Sequence, residues 1–411
     1  MVFSLKQVQE KCIEQNMPQY MVFVDFTKAF NTVNRTALWK LLQRYGCPEK
    51  FSNLINALHE NMQARVSLNG ELSDPFTVSN GVKQGCVLAP KLFFIFLTAT
   101  LTHAFNDCDK RVLIQSRPNA DLFNISQFKS IRKTKGVLVR ELMFADDTAF
   151  IAHNFDDAQE IVTRFSDAAK AFGLKINIKK TEMMYQPVPG SNFEGLNIRI
   201  DNQDLNKVSH FKYLGSTVSE TNKLDEQLKS RMSKASSAFG RLRKRVWDNK
   251  HLTIKTKAAV YRAIVLSTLL YGVESWTIYR IISHRLSAYM MRHLRYILKI
   301  RWWHHVSNKT ILQQTGLPSM YDILRQRTLR WTGHVCRMDD NQLPKEILFS
   351  QLKEGSRNIG RPKLRYKGTV KRSLKDLSIP TNGWQRLTIN KECWRKLIHK
   401  QKSSSDTMDC Q

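Results

Sequence analysis

The sequence predicts an α+β fold followed by an all-α, strongly basic region, and three observations carry that prediction. Short strand-like apolar runs at residues 20–24 and 142–152 alternate with stretches whose apolar residues recur every three or four positions. From Leu224 onward helical periodicity takes over, with Leu224, Leu228, Met232, Ala235, Phe239, Leu242 and Val246 forming one continuous stripe. The charge follows the same division: residues 1–223 carry 27 Lys and Arg against 22 Asp and Glu, and residues 224–411 carry 38 against 13.

That asymmetry restricts the function classes. A sustained polycation is drawn to polyanions, nucleic acid above all, and a basic surface kept for solubility is the alternative. With 411 residues, 42% of them hydrophobic, the chain can bury cores for two or three domains. Its nearest approach to a membrane span, residues 258–273, is broken by Arg262 and falls short of the roughly 18 to 20 apolar residues required. Residues 1–12 carry Lys6, Glu10 and Lys11 and lack the apolar centre of a secretory signal, so an intracellular protein with no membrane partner is expected. The seven cysteines are odd in number, scattered and without a C-x-x-C pair, which speaks against a disulfide framework or a zinc finger.

Taken in order, residues 5–16 read as a helix and residues 20–24 as a short buried strand with Asp25 at its end. Asp25 there suits a helix cap, or the chemistry that α/β sheets place at the carboxyl ends of their strands. Val33, Ala37, Leu38, Leu41 and Leu42 predict the next helix, and another is expected over 48–63. Asn69-Gly70 marks a hairpin over 64–72. The loop Gly81-Val82-Lys83-Gln84-Gly85-Cys86 precedes an apolar helix over 91–105, with Pro90 suited to its first turn. Its two glycines allow close approach of a ligand to the backbone, or form a plain turn.

Residues 107–140 are polar and mixed, an insertion that leads to the run 142–152. There Asp146-Asp147 sits between two apolar segments. An unpaired buried carboxylate costs several kcal/mol or is forced to protonate. The pair therefore calls for a cation, usually a metal, unless it forms an exposed hairpin turn. Beyond it, an amphipathic helix over 156–172 buries Ile161, Val162, Phe165, Ala168 and Ala169 and ends at Gly173. Residues 174–182 are expected to be a strand ending in Lys179, Lys180 and Thr181, and a further pair of strands ends in Phe211-Lys212-Tyr213-Leu214-Gly215-Ser216. Later helices are expected over 253–271, 278–298 and 319–330. Opposite the apolar stripe that starts at Leu224 lie Lys229, Arg231, Lys234, Arg241, Arg243, Lys244 and Arg245, and a polar, disordered tail is expected at the end.

These stretches, in this order, resemble the palm of a reverse transcriptase, and their motifs are close to those of non-LTR (LINE-type) retrotransposons. Residues 21–30 look like motif A, Gly81 to Cys86 like motif B and Phe144-Ala145-Asp146-Asp147 like motif C. Gly173 to Thr181 looks like motif D, and Tyr213-Leu214-Gly215-Ser216 like motif E, the primer grip. The resemblance continues to Gly333-His334-Val335 and Gly360-Arg361-Pro362.

The resemblance implies a right-hand polymerase. Its palm, an antiparallel sheet with packed helices, would take residues 1–220, a helical thumb and connection 221–340, and a basic C-terminal region 341–411. It implies an RNA-directed DNA polymerase that uses two Mg²⁺ ions, with Mn²⁺ possible, on an RNA template, a DNA primer or target and dNTPs, acting in nucleus and cytoplasm. Asp25, Asp146 and Asp147 would hold the metals, and Lys180 would neutralise or protonate the leaving pyrophosphate. Phe30 would be the steric gate, Gln84 and Gly85 the nucleotide and template contacts, and Tyr213, Leu214 and Gly215 the primer grip. Arg241, Arg243, Lys244 and Arg245 would follow the nucleic-acid backbone. The sequence departs from the family at Asn31, where Asp is usual. Because the match begins about one helix before motif A, the family's fingers strands and endonuclease domain are expected to be missing, as in a truncated copy. The alternative is a non-catalytic, basic nucleic-acid-binding remnant.

Overall fold

The computed structural model describes residues 1–130, 133–191, 193, 195–357, 360 and 363–399. The expected tail and two residues of the Gly360-Arg361-Pro362 stretch, Arg361 and Pro362, lie outside the described residues. The chain forms two compact units, a sheet unit of Met17–Leu113 and Leu138–Phe211, and a helical unit of Met1–Asn16, Ile114–Val137 and the chain from Lys212 onward. Among the described residues no helix is long and apolar enough to cross a membrane.

The sheet unit is built on β1 (Gln19–Val24), whose six residues are all buried. It continues through α1 (Arg35–Arg44), α2 (Glu49–Ala57), α3 (Ala89–Phe105), β2 (Glu141–Phe144), β3 (Asp147–Ala152), α4 (Phe155–Ala171), β4 (Glu182–Gln186) and β5 (Asn206–Lys207). The strand order is β5-β4-β1-β3-β2, with β1 antiparallel to β4 through Met21 opposite Met184 and to β3 through Val22 opposite Phe150. One face of β1 and β3 packs under the helices, where Val22, Val24 and Phe150 join Phe93, Phe96, Ile161 and Phe165 in one core. On the other face Phe23 stacks on Phe211 with ring centroids 4.1 Å apart.

Local signals fix most of these boundaries. Asn154 caps α4, its side chain accepting from the Asp157 N–H at 2.7 Å, and Pro90 sits in the first turn of α3. The Asn69-Gly70 hairpin forms, both residues at positive φ, with Ser67 opposite Leu72. Two expectations fail. The helix expected over 48–63 ends at Ala57. The strand expected over 174–182 is a single bridge at Ile176 followed by a turn, the strand itself starting at Glu182. Its backbone is spent elsewhere, since Lys175 and Asn177 bond to Thr27 and Asp25.

In the helical unit, α5 (Asp225–Arg241), α6 (Arg280–Ile297), α7 (Asn308–Thr315) and α8 (Met320–Cys336) are the main helices. The stripe residues Leu224, Leu228 and Ala235 are buried with Trp247, Tyr261, Leu286 and Leu294. Two π-helical turns, Arg243–Trp247 and Tyr261–Leu266, interrupt the regular winding. A second core gathers Phe3, Tyr366, Trp384 and Trp394. Gly333 lies against the Trp394 indole, which a Cβ there would strike, so the Gly333-His334-Val335 stretch is a packing feature of this core.

The N-terminal helix, Val2–Glu14, belongs here because its polar groups are answered here. The Glu10 carboxylate accepts from the Tyr366 N–H at 2.9 Å and the Thr277 hydroxyl at 2.7 Å, and Lys11 donates to the Ser350 carbonyl at 2.9 Å. Much of the presumed insertion is also structural, since the Val112–Ser116 strand pairs antiparallel with Ser350–Leu352.

Candidate active site

The sheet unit brings the acidic motifs to one end of β1. Antiparallel pairing of β1 and β3 sets Val24 opposite Thr148, and continuing that register by one residue sets Asp25 opposite Asp147. The β2–β3 hairpin closes through Ala145 and Asp146, with Phe144 opposite Asp147 and Ala145 at φ 55°. Asp146 and Asp147 are exposed and Asp25 is half-buried. The acidic pair thus forms the exposed hairpin turn, with a third carboxylate, Asp25, at the end of the neighbouring strand. Partial burial, then the neighbouring charges of Asp146 and Asp25, push the Asp147 carboxyl above the usual carboxylate range.

A concentration of hard oxygen donors with unrelieved negative charge fits a divalent cation. Among the described residues, however, no three His, Cys, Asp or Glu side chains are gathered as closely as a metal site requires. The charges that a cation would draw together repel one another without it.

Neighbouring segments fix this end of β1. The Asp25 N–H donates to Thr181 Oγ1 at 3.2 Å, and the Asn177 N–H donates to the Asp25 carbonyl at 2.8 Å. Lys180, just before Thr181, is exposed in the turn that makes these bonds. Phe30 lies in a short 3-10 turn after a left-handed Lys28, buried against Phe93 with centroids 4.7 Å apart. Its carbonyl accepts from the Val82 N–H at 2.8 Å, which ties the glycine loop to the Asp25 segment.

The two loop glycines serve different ends. A Cβ on Gly81 would lie 2.6 Å from the Asn31 Cα, so the close approach there is to the protein's own backbone and not to a ligand. Gly85, with φ of +91°, faces open space, and Lys83, Gln84 and Gly85 are exposed.

Sequence reasoning missed Arg35. Its buried guanidinium donates to the carbonyls of Gly81 at 2.8 Å, His59 at 2.9 Å and Val78 at 2.8 Å, clamping the start of the glycine loop onto α1. No carboxylate precedes it at pairing distance in sequence, and an Arg in a first helical turn carries no signal of its own.

The primer-grip candidates lie in the helical unit. Leu214 and Gly215 form the two-residue turn between the His210–Tyr213 and Ser216–Ser219 strands, both at positive φ, and Tyr213 is buried. Tyr271 donates its hydroxyl to the Leu214 carbonyl at 3.1 Å, and Arg231 donates to the Gly215 carbonyl while its guanidinium lies 4.3 Å from the Tyr271 ring. Arg231, expected on the cationic face, is therefore buried in a structural role. Arg241, Arg243, Lys244 and Arg245 are exposed. Arg243 bonds the Tyr296 hydroxyl at 2.6 Å, while Arg241, Lys244 and Arg245 make no ion pair among the described residues.

A mainly antiparallel sheet with helices packed on it, carrying an acidic hairpin beside a strand-end aspartate, is the arrangement expected of a reverse transcriptase palm. The profile of the family described as reverse transcriptase (RNA-dependent DNA polymerase) matches residues 3–218, more than half of the chain, and the chain belongs to that family. A transposon-derived protein of Caenorhabditis elegans is 23% identical over 66% of this chain and the whole of its own length. The "Probable RNA-directed DNA polymerase from transposon BS" of Drosophila melanogaster is 23% identical over 77% of this chain, and the polyprotein of the type-1 retrotransposable element R2 of Popillia japonica 24% identical over 49%. The chain spans 33% and 31% of those two proteins. Among solved structures, the apo telomerase of Candida tropicalis aligns with a TM-score of 0.39 at 13% identity, over 96% of this chain and 56% of that one.

Proposed function

We propose that this chain is the polymerase part of a non-LTR retrotransposon reverse transcriptase, which copies an RNA template by adding dNTPs to the 3′-hydroxyl of a DNA primer. The observation that carries this reading is the register that sets Asp25 opposite the Asp146-Asp147 turn at the end of β1, with the proton affinity of Asp147 raised by partial burial and then by the charges of Asp146 and Asp25. These carboxylates would hold two Mg²⁺ ions. When bound, such ions supply the charge that activates the primer hydroxyl and stabilises the leaving pyrophosphate.

The chain's own residues do the rest. Phe30, fixed against Phe93, walls the sugar side of the nucleotide and excludes a 2′-hydroxyl. Gln84 and Gly85, exposed in a loop held at Gly81, meet the incoming nucleotide and the template. Lys180 faces solvent beside the segment that fixes Asp25, and supplies a proton or positive charge to the pyrophosphate. The turn at Leu214 and Gly215 supports the primer, and Arg241, Arg243, Lys244 and Arg245 follow phosphates. The protein acts inside the cell, in nucleus and cytoplasm, where RNA and dNTPs are at hand.

A second reading, a nucleic-acid-binding remnant without catalysis, is favoured by the 38 Lys and Arg against 13 acids in residues 224–411. Primer extension on an RNA template with Mg²⁺ separates the two. Incorporation that Asp146→Asn abolishes supports the polymerase; absence of incorporation together with salt-sensitive RNA binding supports the remnant.

A further inference from the structure

The chain between α6 and α7 in the helical unit exposes two tryptophans on a braced turn, within a segment that has no acidic residue. Trp302 is 80% exposed and Trp303 54%, while Trp247, Trp276, Trp384 and Trp394 are fully buried. Water contact over a large aromatic ring is unfavourable. Two adjacent exposed rings therefore form a surface suited to a flat stacking partner. The turn that presents them is fixed. Arg301 donates its N–H to His304 Nδ1 at 3.2 Å, the His304 N–H donates to the Arg301 carbonyl at 3.1 Å, and Arg295 secures the exit through the Val306 carbonyl at 3.0 Å. The indoles meet edge to face, centroids 5.7 Å apart at 81°, so their faces point in different directions.

The chain segment that carries them has charge of one sign. Residues 275–321 contain seven Lys and Arg and no Asp or Glu. Asp248, the carboxylate that reaches this edge, is taken up by Lys299 at 2.5 Å and the Tyr296 hydroxyl at 3.0 Å. Exposed Arg301 makes no ion pair among the described residues, Arg243 also pairs with Asp248, and Lys244 and Arg245 are exposed directly after Arg243.

We infer that the Trp302–His304 turn is a stacking platform for single-stranded nucleic acid, with bases on the two indoles and phosphates along Arg301, Lys244 and Arg245. Every base has a π-face, so such a platform reads strandedness and not sequence. The inference rests on the nucleic-acid-binding half of the proposed function and does not require polymerisation.

The test is fluorescence anisotropy of the full chain with a labelled oligouridine, in EDTA and without dNTPs, across a salt series. Trp302→Ala and Trp303→Ala are each expected to weaken binding about tenfold, about 1.4 kcal/mol, while the slope of log K against log salt stays unchanged. Trp302→Phe retains most of the affinity and guards against a folding defect. Arg301→Gln lowers the salt slope by about 0.7, the value for one phosphate on a single strand. Duplex RNA is expected to bind all Trp variants as it binds the parent chain. The inference is overturned if the parent chain does not bind oligouridine, if the alanine variants bind it undiminished, or if duplex binding falls equally. It is also overturned if the indoles prove necessary for binding anionic phospholipid vesicles and not RNA. A chain that extends no primer yet shows the Trp-dependent binding keeps this inference and loses the polymerase reading.

Discussion

The Asp25 backbone N–H donates to the Thr181 hydroxyl at 3.2 Å, so a side chain 156 residues downstream sets the position of the strand-end aspartate. Thr181 itself is fully buried. Replacing it with Val leaves a part-buried N–H unpaired, a cost of about 1–2 kcal/mol. Thr181→Val is expected to lower the denaturation midpoint accordingly and to reduce primer extension, with Thr181→Ser close to the parent in both. Equal stability of Val and Ser variants would show that this bond does not hold Asp25.

The raised proton affinity of Asp147 predicts a linkage between pH and divalent ions. A carboxyl whose folded-state pKa lies above its unfolded value stabilises the fold at low pH and loses that contribution as pH rises through the raised value. At neutral pH the ionised Asp147 is therefore a mild burden on the fold, softened by solvent screening. Thermal melts should show Asp147→Asn slightly more stable than the parent without metal. Added Mg²⁺ should stabilise the parent, increasingly as pH rises, and the variant less. A parent chain indifferent to Mg²⁺ at every pH would remove the metal from Asp147.

The Arg35 clamp and Gly81 act on the same loop. Lys cannot reproduce the guanidinium fork. Arg35→Lys is expected to cost about 2–3 kcal/mol by orphaning buried carbonyls. Gly81→Ala forces a Cβ into the Asn31 backbone and should cost about the same or more, whereas Gly85→Ala, strained in φ alone, should cost about 1 kcal/mol. Urea denaturation ranks the three, and equal costs at the two glycines would contradict the packing at Gly81.

His293 predicts acid sensitivity in the helical unit. It stacks on Phe239 with centroids 4.1 Å apart, and burial, then the charge of Arg292, lowers its pKa to about 4. A histidine depressed in the folded state contributes stability above the unfolded pKa of 6.5 that is lost as pH falls towards 4. The loss should be on the order of 2 kcal/mol, discounted because the ring is half-buried. His293→Phe should flatten that part of the stability profile, measured by denaturation between pH 7 and about 4.

Much of the site was legible because its signals are local. Apolar runs bracket Asp146-Asp147, a strand-length run ends at Asp25, and Asn69-Gly70 can serve few purposes other than a hairpin turn. What escaped notice depends on partners remote in sequence. Residues 174–182 have strand composition, yet their backbone bonds go to Thr27 and Asp25 and leave no ladder. Arg231 shares a helix face with solvent-exposed cations, and only the Leu214-Gly215 turn and Tyr271 explain its burial. Arg35 looks like any basic residue at a helix start until the carbonyls of His59, Val78 and Gly81 converge on it.

The N-terminal helix has a consequence for synthesis. Gln15 bonds the Leu352 carbonyl across 337 residues, and Glu10 waits still longer for Tyr366. On the ribosome the sheet unit has its full complement once Phe211 has emerged. This helix therefore leaves the ribosome well before its partners, and at the roughly 5 to 20 residues per second of translation it stays unpartnered for tens of seconds. Its apolar face, with Phe3, Leu5 and Val8, is open to chaperones through that interval.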